Sequence, residues 1–209
     1  MKYNTIIFDI DGTLIDSAKA ILCTLQSAVF LTTGKHYELS ELTFALGLTS
    51  REAVRRLIGD DCEEACQLGQ KLYGEYMEHI SLFDGMAETI FSLHNCGVRL
   101  GIVTSKTRRE FTRSFHYPVA DCFGCCICAD DTDCRKPDPA PLLACLSQLG
   151  SEKYSCLYVG DSIYDYQCAK NAGIEFGLAL WGSQKPEEIP ACLRLTSPAD
   201  LCEIAGQNP

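Results

Sequence analysis

Residues 8–17 read FDIDGTLIDS, closing a short apolar run with three carboxylates in eight positions. Asp9 and Asp11 stand where a buried strand stops, and Gly12 and Thr13 follow at once. A carboxylate at the edge of a core is costly unless it is paired, hydrogen-bonded or bound to a metal. The rest of the chain is therefore expected to bring partners to that edge.

Working outward, β-branched or apolar runs at Thr5–Phe8, Arg99–Val103, Gly124–Ala129, Cys156–Val159 and Ile174–Leu180 read as buried strands. Helical patterns fill the gaps. Met86, Ile90 and Leu93 form one stripe that Gly97 closes; the stretch 138–150 opens with prolines, carries four leucines and stops at Gly150. DSIYDYQCAKNAG likewise stops at Gly173. This alternation predicts an α/β fold, a doubly wound, Rossmann-like parallel sheet.

One segment breaks the rhythm. From Asp16 to Ser81 only helical patterns occur: Ile21, Leu22, Leu25, Ala28 and Val29 make one face, and Thr49 with Glu52 spells a capping box before a helix ending at Gly59. Ala65, Leu68, Leu72 and Tyr76 continue the spacing, weakened by Gly69 and Gly74. The expectation is a catalytic core of residues 1–15 and 82–209 with an all-helical cap, residues 16–81, inserted after the first strand. Asp16 is read as the start of the first cap helix and no more.

Open α/β sheets bind ligands at the carboxyl ends of their strands. Those ends carry Asp9, Asp11, Gly12 and Thr13; Thr104, Ser105 and Lys106; and Asp161, Ser162 and Asp165, with Lys136 in the connection after the third strand. Singly, each has a plainer reading. Asp161 or Thr104 would serve as a helix cap, Asp165 as an exposed first-turn acid, and Lys136 as a solvated loop residue. Jointly they gather carboxylates, hydroxyls and a lysine on one edge. Oxygen ligands suit a hard cation such as Mg²⁺, and the lysine and hydroxyls suit a phosphoryl group.

Composition narrows the partners. A net charge of −10 argues against non-specific nucleic-acid binding and against an anionic membrane surface. No apolar stretch approaches the roughly 20 residues of a membrane span, and the first residues lack a signal-peptide pattern, so a cytoplasmic protein is expected. The fourteen cysteines are accordingly expected as reduced thiols; Cys23, Cys96, Cys145, Cys156 and Cys168 read as core filling. The cluster Cys122, Cys125, Cys126 and Cys128, with Cys134 nearby, lacks the two separated knuckles of a zinc site. Arg51, Arg55, Arg56, Lys106, Arg108, Arg109 and Arg113 are read as solvated.

Four stretches, FDIDGTLIDS, GIVTSK, RKPDP and GDSIYDY, resemble the ordered motifs of the haloacid dehalogenase superfamily, across essentially the whole chain. The likeness is to its phosphatases with a helical cap, in the phosphoglycolate phosphatase and pyrophosphatase style. The resemblance implies Asp9 as nucleophile, Asp11 as general acid and base, and Thr104 and Lys136 as holders of the phosphoryl oxygens, with Gly12 and Ser105 also at the substrate. It implies Mg²⁺ held by Asp9, Asp11 (through its backbone carbonyl) and Asp161, with Asp165 supporting the metal or orienting Lys136. The expected reaction is hydrolysis of a small phosphorylated metabolite through an aspartyl phosphate. An inorganic pyrophosphatase-like hydrolase and a phosphosugar mutase of the same fold are the alternatives. A dehalogenase or a mere phospho-acceptor would not need Asp11.

Overall fold

The structure, a computed structural model, describes residues 2–206. Six parallel strands form the main sheet in the order β5-β4-β1-β6-β7-β8. They are β1 (Thr5–Phe8), β4 (Arg99–Val103), β5 (Phe123–Ile127), β6 (Cys156–Gly160), β7 (Glu175–Ala179) and β8 (Leu193–Leu195). Strand β1 lies at the centre, with Phe8 level with Ile102 on one side and Val159 on the other. Its Ile6, Ile7 and Phe8 are fully buried, as are Leu157, Tyr158 and Val159 of β6. Strands buried on both faces read as continuous apolar runs, which is why their positions are visible in the sequence.

Helices α4 (Met86–Asn95), α5 (Arg108–Ser114), α6 (Ala140–Gln148), α7 (Ile163–Ala172) and α8 (Asp200–Ile204) alternate with these strands or follow them. Helix α7 is bounded as its sequence implies. Ser162 caps its start in a reciprocal box with Asp165, and Gly173, in the left-handed conformation, closes its end. One part of the core gathers Leu142, Cys145 and Leu146 of α6 with Tyr158, Cys168 and Phe176.

The chain divides into two compact units. One joins the segment up to Ile15 with the segment from Leu82 onward; the other is Asp16–Ser81. The second unit is built from α1 (Ala18–Thr33), α2 (Ser50–Ile58) and α3 (Glu63–Leu72), with 3₁₀ turns at Leu39–Ala45 and Tyr73–His79. It has an apolar cluster of its own, in which Leu22, Leu25 and Val29 meet Leu42, Val54 and Cys62. Two-residue strands, β2 (Ile15–Asp16) and β3 (Ser81–Leu82), pair where the chain leaves and rejoins the first unit.

Several details differ from expectation. Strand β8 was unforeseen: it has three residues with Arg194 in the middle, too short and polar to register as an apolar run. Strand β5 begins and ends earlier than its pattern suggests, beside an irregular register between Leu100 and Gly101 of β4. Helix α3 stops at Leu72 and tightens to 3₁₀ around Gly74, because glycine interrupts helical continuity. Asp16 lies in β2, and Ser17 holds the cap position of α1. Cys96 is exposed and Cys23 half-buried; all fourteen cysteines are free thiols. Arg51 pairs with Glu63 and Arg55 with Asp60 on the outer faces of their helices, as solvated arginines do.

Candidate active site

The carboxyl ends of β1, β4 and β6 meet at one edge, and the side chains foreseen there converge. Asp9 follows β1, its backbone N–H donated to Val159 O at 2.9 Å. Lys136 reaches in from the connection between β5 and α6. Its ammonium donates to Asp9 Oδ1 at 2.8 Å, Asp165 Oδ1 at 2.7 Å and the Tyr158 hydroxyl at 3.2 Å. Val103 O lies 3.4 Å from the same nitrogen, so four acceptors surround its three protons. Asp9, Asp161 and Asp165 each bring one carboxylate oxygen within 4.8 Å of the others, and all three residues are buried.

Charge does not balance there. Three buried carboxylates face one lysine. Burial raises Asp9 from 3.8 to about 7, against the pull of Lys136 and helped by repulsion from Asp165 and Asp11. Asp161 is likewise held far above the usual carboxylate range by burial and by Asp165 and Asp9. Burial disfavours the charge on Lys136, but Asp165 and Asp9 outweigh it and keep the amine protonated. The unbalanced negative charge and the all-oxygen donor set fit a hard divalent cation. Asp9 and Asp161 have oxygens to offer it. Asp165 is committed: Oδ1 accepts from Lys136 and from the Tyr158 hydroxyl at 2.8 Å, and Oδ2 accepts from Ser162.

Turn geometry brings Asp161 beside the first loop. Gly12 sits at φ +78°, and an added Cβ would lie 2.3 Å from Asp161 Oδ2, so only glycine fits. Its N–H is donated to Ile15 O at 2.9 Å, which makes it a turn residue. Thr13 Oγ1 donates to Asp161 Oδ1 at 3.3 Å. Ser162, not Asp161, caps α7, and Asp165 is fully buried where an exposed first-turn acid was conceivable. Thr104, also buried, accepts the Lys106 N–H at 3.2 Å, while Thr107 caps α5. Ser105 is half-buried next to it.

Lys106 overturns its reading as a solvated residue. Its side chain is 8% exposed, and Nζ lies 2.8 Å from Asp11 Oδ1. Arg108 is half-exposed and pairs with Asp131. Beyond β7 lies a further support that strand-end reasoning missed. Trp181 Nε1 donates to Thr13 O at 2.9 Å, and Ser183 Oγ donates to Asp161 O at 2.6 Å. Between them Gly182 passes so close to Gly12 that a Cβ would meet Gly12 O at 1.8 Å. Three consecutive residues thus brace both acid-bearing loops.

This edge arrangement has a counterpart in known sequences. The sequence model described as "Haloacid dehalogenase-like hydrolase" matches residues 6–179, more than four-fifths of the chain. The chain belongs to the haloacid dehalogenase-like hydrolase family. Among curated members, pyrophosphatase PpaX of Halalkalibacterium halodurans is 28% identical over 211 residues, covering 99% of this chain and 98% of the relative. Phosphoglycolate phosphatase of Xylella fastidiosa strain 9a5c is 32% identical, covering 89% and 84%. A crystal structure from Lactobacillus plantarum, provisionally described as a phosphoglycolate phosphatase, superposes with a TM-score of 0.88 at 30% identity over 98% of this haloacid dehalogenase-like chain. Among the described residues no helix is long and apolar enough to cross a membrane.

Proposed function

We propose that the chain is a Mg²⁺-dependent phosphatase that hydrolyses a small phosphorylated metabolite, phosphoglycolate-like in size, through an aspartyl phosphate on Asp9. The observation that carries this is the buried Asp9, held at 2.8 Å by Lys136 beside Asp161 at the sheet's carboxyl edge. Asp9 is the carboxylate nucleophile. Asp11, two residues on, protonates the leaving oxygen and later takes the proton of the attacking water. Lys136 and the Thr104 hydroxyl hold phosphoryl oxygens, preorganised against the charge that develops there. Ser105 adds a hydroxyl beside Thr104.

Asp9, Asp161 and the backbone carbonyl of Asp11 would hold the cation. When bound, it screens the phosphate from the anionic nucleophile and stabilises transition-state charge. Asp165 positions Lys136 by accepting one of its protons, and Tyr158 steadies both. The helical unit, residues 16–81, is the cap that selects the leaving group. The pyrophosphatase relative supports a second reading in which pyrophosphate is the substrate. A hydrolysis screen over small phosphorylated metabolites, with phosphoglycolate and pyrophosphate among them, separates the two. Inertness towards every phosphoester and towards pyrophosphate would refute both.

The cation has a pH signature. Asp9 binds its proton more tightly in the folded state, with a pKa of about 7 against an ordinary 3.8. In metal-free protein its contribution to stability is full below the unfolded value. It is lost as pH rises through about 7, since the folded state then surrenders the extra proton. A divalent cation held by Asp9 would take the place of that proton. Chelated protein should therefore melt lower at pH 8 than at pH 5.5, and Mg²⁺ should raise Tm more at pH 8. Chelation should also abolish aryl phosphate hydrolysis, and Mg²⁺ should restore it. A Mg²⁺ stabilisation equal at both pH values, or full activity in chelator, would count against the assignment.

A further inference from the structure

Strand β5 runs out into a pair of thiols that the reaction does not use, Cys126 within it and Cys128 one residue past its end. Side chains two apart on a strand share a face, and Cys126 and Cys128 bring their sulfurs to 3.9 Å. Their neighbours Cys125 and Ile127 face the opposite way, into the apolar core. Cys126 is half-buried and Cys128 fully buried. The Arg108 guanidinium reaches the same segment, donating to Cys126 O at 2.7 Å. Cys128 and, after it, Arg108 favour the Cys126 thiolate, against burial. Ile127, between the two cysteines, accepts the Thr104 N–H at 3.0 Å, and Ala129 just beyond donates to Lys106 O at 2.8 Å. The thiols therefore flank the backbone that fixes the β4 end of the site.

We propose that Cys126 and Cys128 form an oxidisable dithiol, a modification site at which a hydroperoxide closes a reversible disulfide that disables the neighbouring edge. The Cys126 thiolate attacks one peroxide oxygen. The O–O bond breaks, the departing hydroxide or alkoxide takes up a proton, and Cys126 becomes a sulfenic acid. The Cys128 sulfur then displaces that hydroxyl, which leaves as water with the Cys128 proton. Two electrons pass to the peroxide, and the protein loses two hydrogens.

Geometry makes the bridge consequential. Strand residues two apart have Cα atoms roughly 6.6 Å from each other. That is near the long limit, about 6.8 Å, of what a disulfide spans. Closing the sulfurs from 3.9 Å to bonding distance therefore puckers the strand at Ile127 and draws its carbonyl away from Thr104. The fully buried Cys145, behind the opposite face, is sheltered from the same oxidant.

The test treats the reduced full chain with hydrogen peroxide, blocks remaining thiols, and maps bridges by peptide mass. The expected result is a Cys126–Cys128 bridge, a loss of two hydrogens reversed by dithiothreitol, and faster hydrogen exchange at the Thr104 amide. Aryl phosphate hydrolysis should fall in step with bridging. Cys126→Ser and Cys128→Ser should each slow that loss by on the order of tenfold. A bridge mapped elsewhere, no bridge at all, or a bridge that leaves Thr104 exchange unchanged would overturn the proposal. So would serine variants that inactivate as fast as the parent. The mass and exchange readouts need no turnover, so failure of the phosphatase reading is distinguishable from failure of the dithiol.

Discussion

Asp9→Asn should yield a folded protein whose kcat towards any phosphate ester falls by on the order of 10⁴–10⁶, the scale of losing a nucleophile. An amide oxygen cannot displace the leaving group and form an acyl phosphate. No phosphate should remain on the variant after denaturing quench, whereas brief mixing of the parent with substrate should leave some. Folding should not suffer. The substitution removes one of three buried carboxylates that share one lysine, and Lys136 keeps Asp165 at 2.7 Å. The metal-free variant should therefore melt no lower than the metal-free parent at pH 8. Retained turnover would remove Asp9 from the reaction.

Asp11→Asn is expected to act differently. Its backbone carbonyl stays, and its amide oxygen still accepts from Lys106, which lies 2.8 Å from the native carboxylate. What is lost is the proton donor and the base, typically worth about 10²–10⁴ in rate. An aryl leaving group needs little protonation and an alkyl one much more. The ratio of aryl to alkyl kcat/KM should thus rise in the variant by about tenfold or more. An unchanged ratio would leave Asp11 a structural partner of Lys106 only.

The central strands were legible because both of their faces are buried, so β1, β4 and β6 print as mostly apolar runs. The acids were legible because they end those runs. Asp9, Asp161, Asp165 and Lys136 come from three separate stretches, yet each was marked by its place after a strand, before a helix or in a helix's first turn, and the structure brings them together. Other parts were hidden for definable reasons. Lys106 is one residue past the hydroxyls on the same strand end, and a lysine beside three arginines reads as surface until Asp11 is seen against it. Tyr158 sits inside an apolar run, where its ring counts as core and its hydroxyl goes unnoticed. The brace at Trp181, Gly182 and Ser183 follows β7, and extending the same strand-end rule by one strand would have reached it. Strand β8 carried no such mark.

The position of β1 bears on how the protein is made. Its partners in the sheet, β4 and β6, lie far along the chain: Thr5 is level with Arg99 and Cys156. At the ~5–20 residues per second of translation, β1 leaves the ribosome many seconds before β6 does. The contiguous segment 16–81, with its own apolar cluster, has every contact of that cluster available meanwhile. Of the six sheet strands, β1, which leads into Asp9, is therefore the first to emerge. It cannot be covered on both edges until β6 follows, which makes it a natural client for a holding chaperone. Nascent chains stalled before β6 should bind such a chaperone through residues 5–8, and chains stalled after α7 should release it.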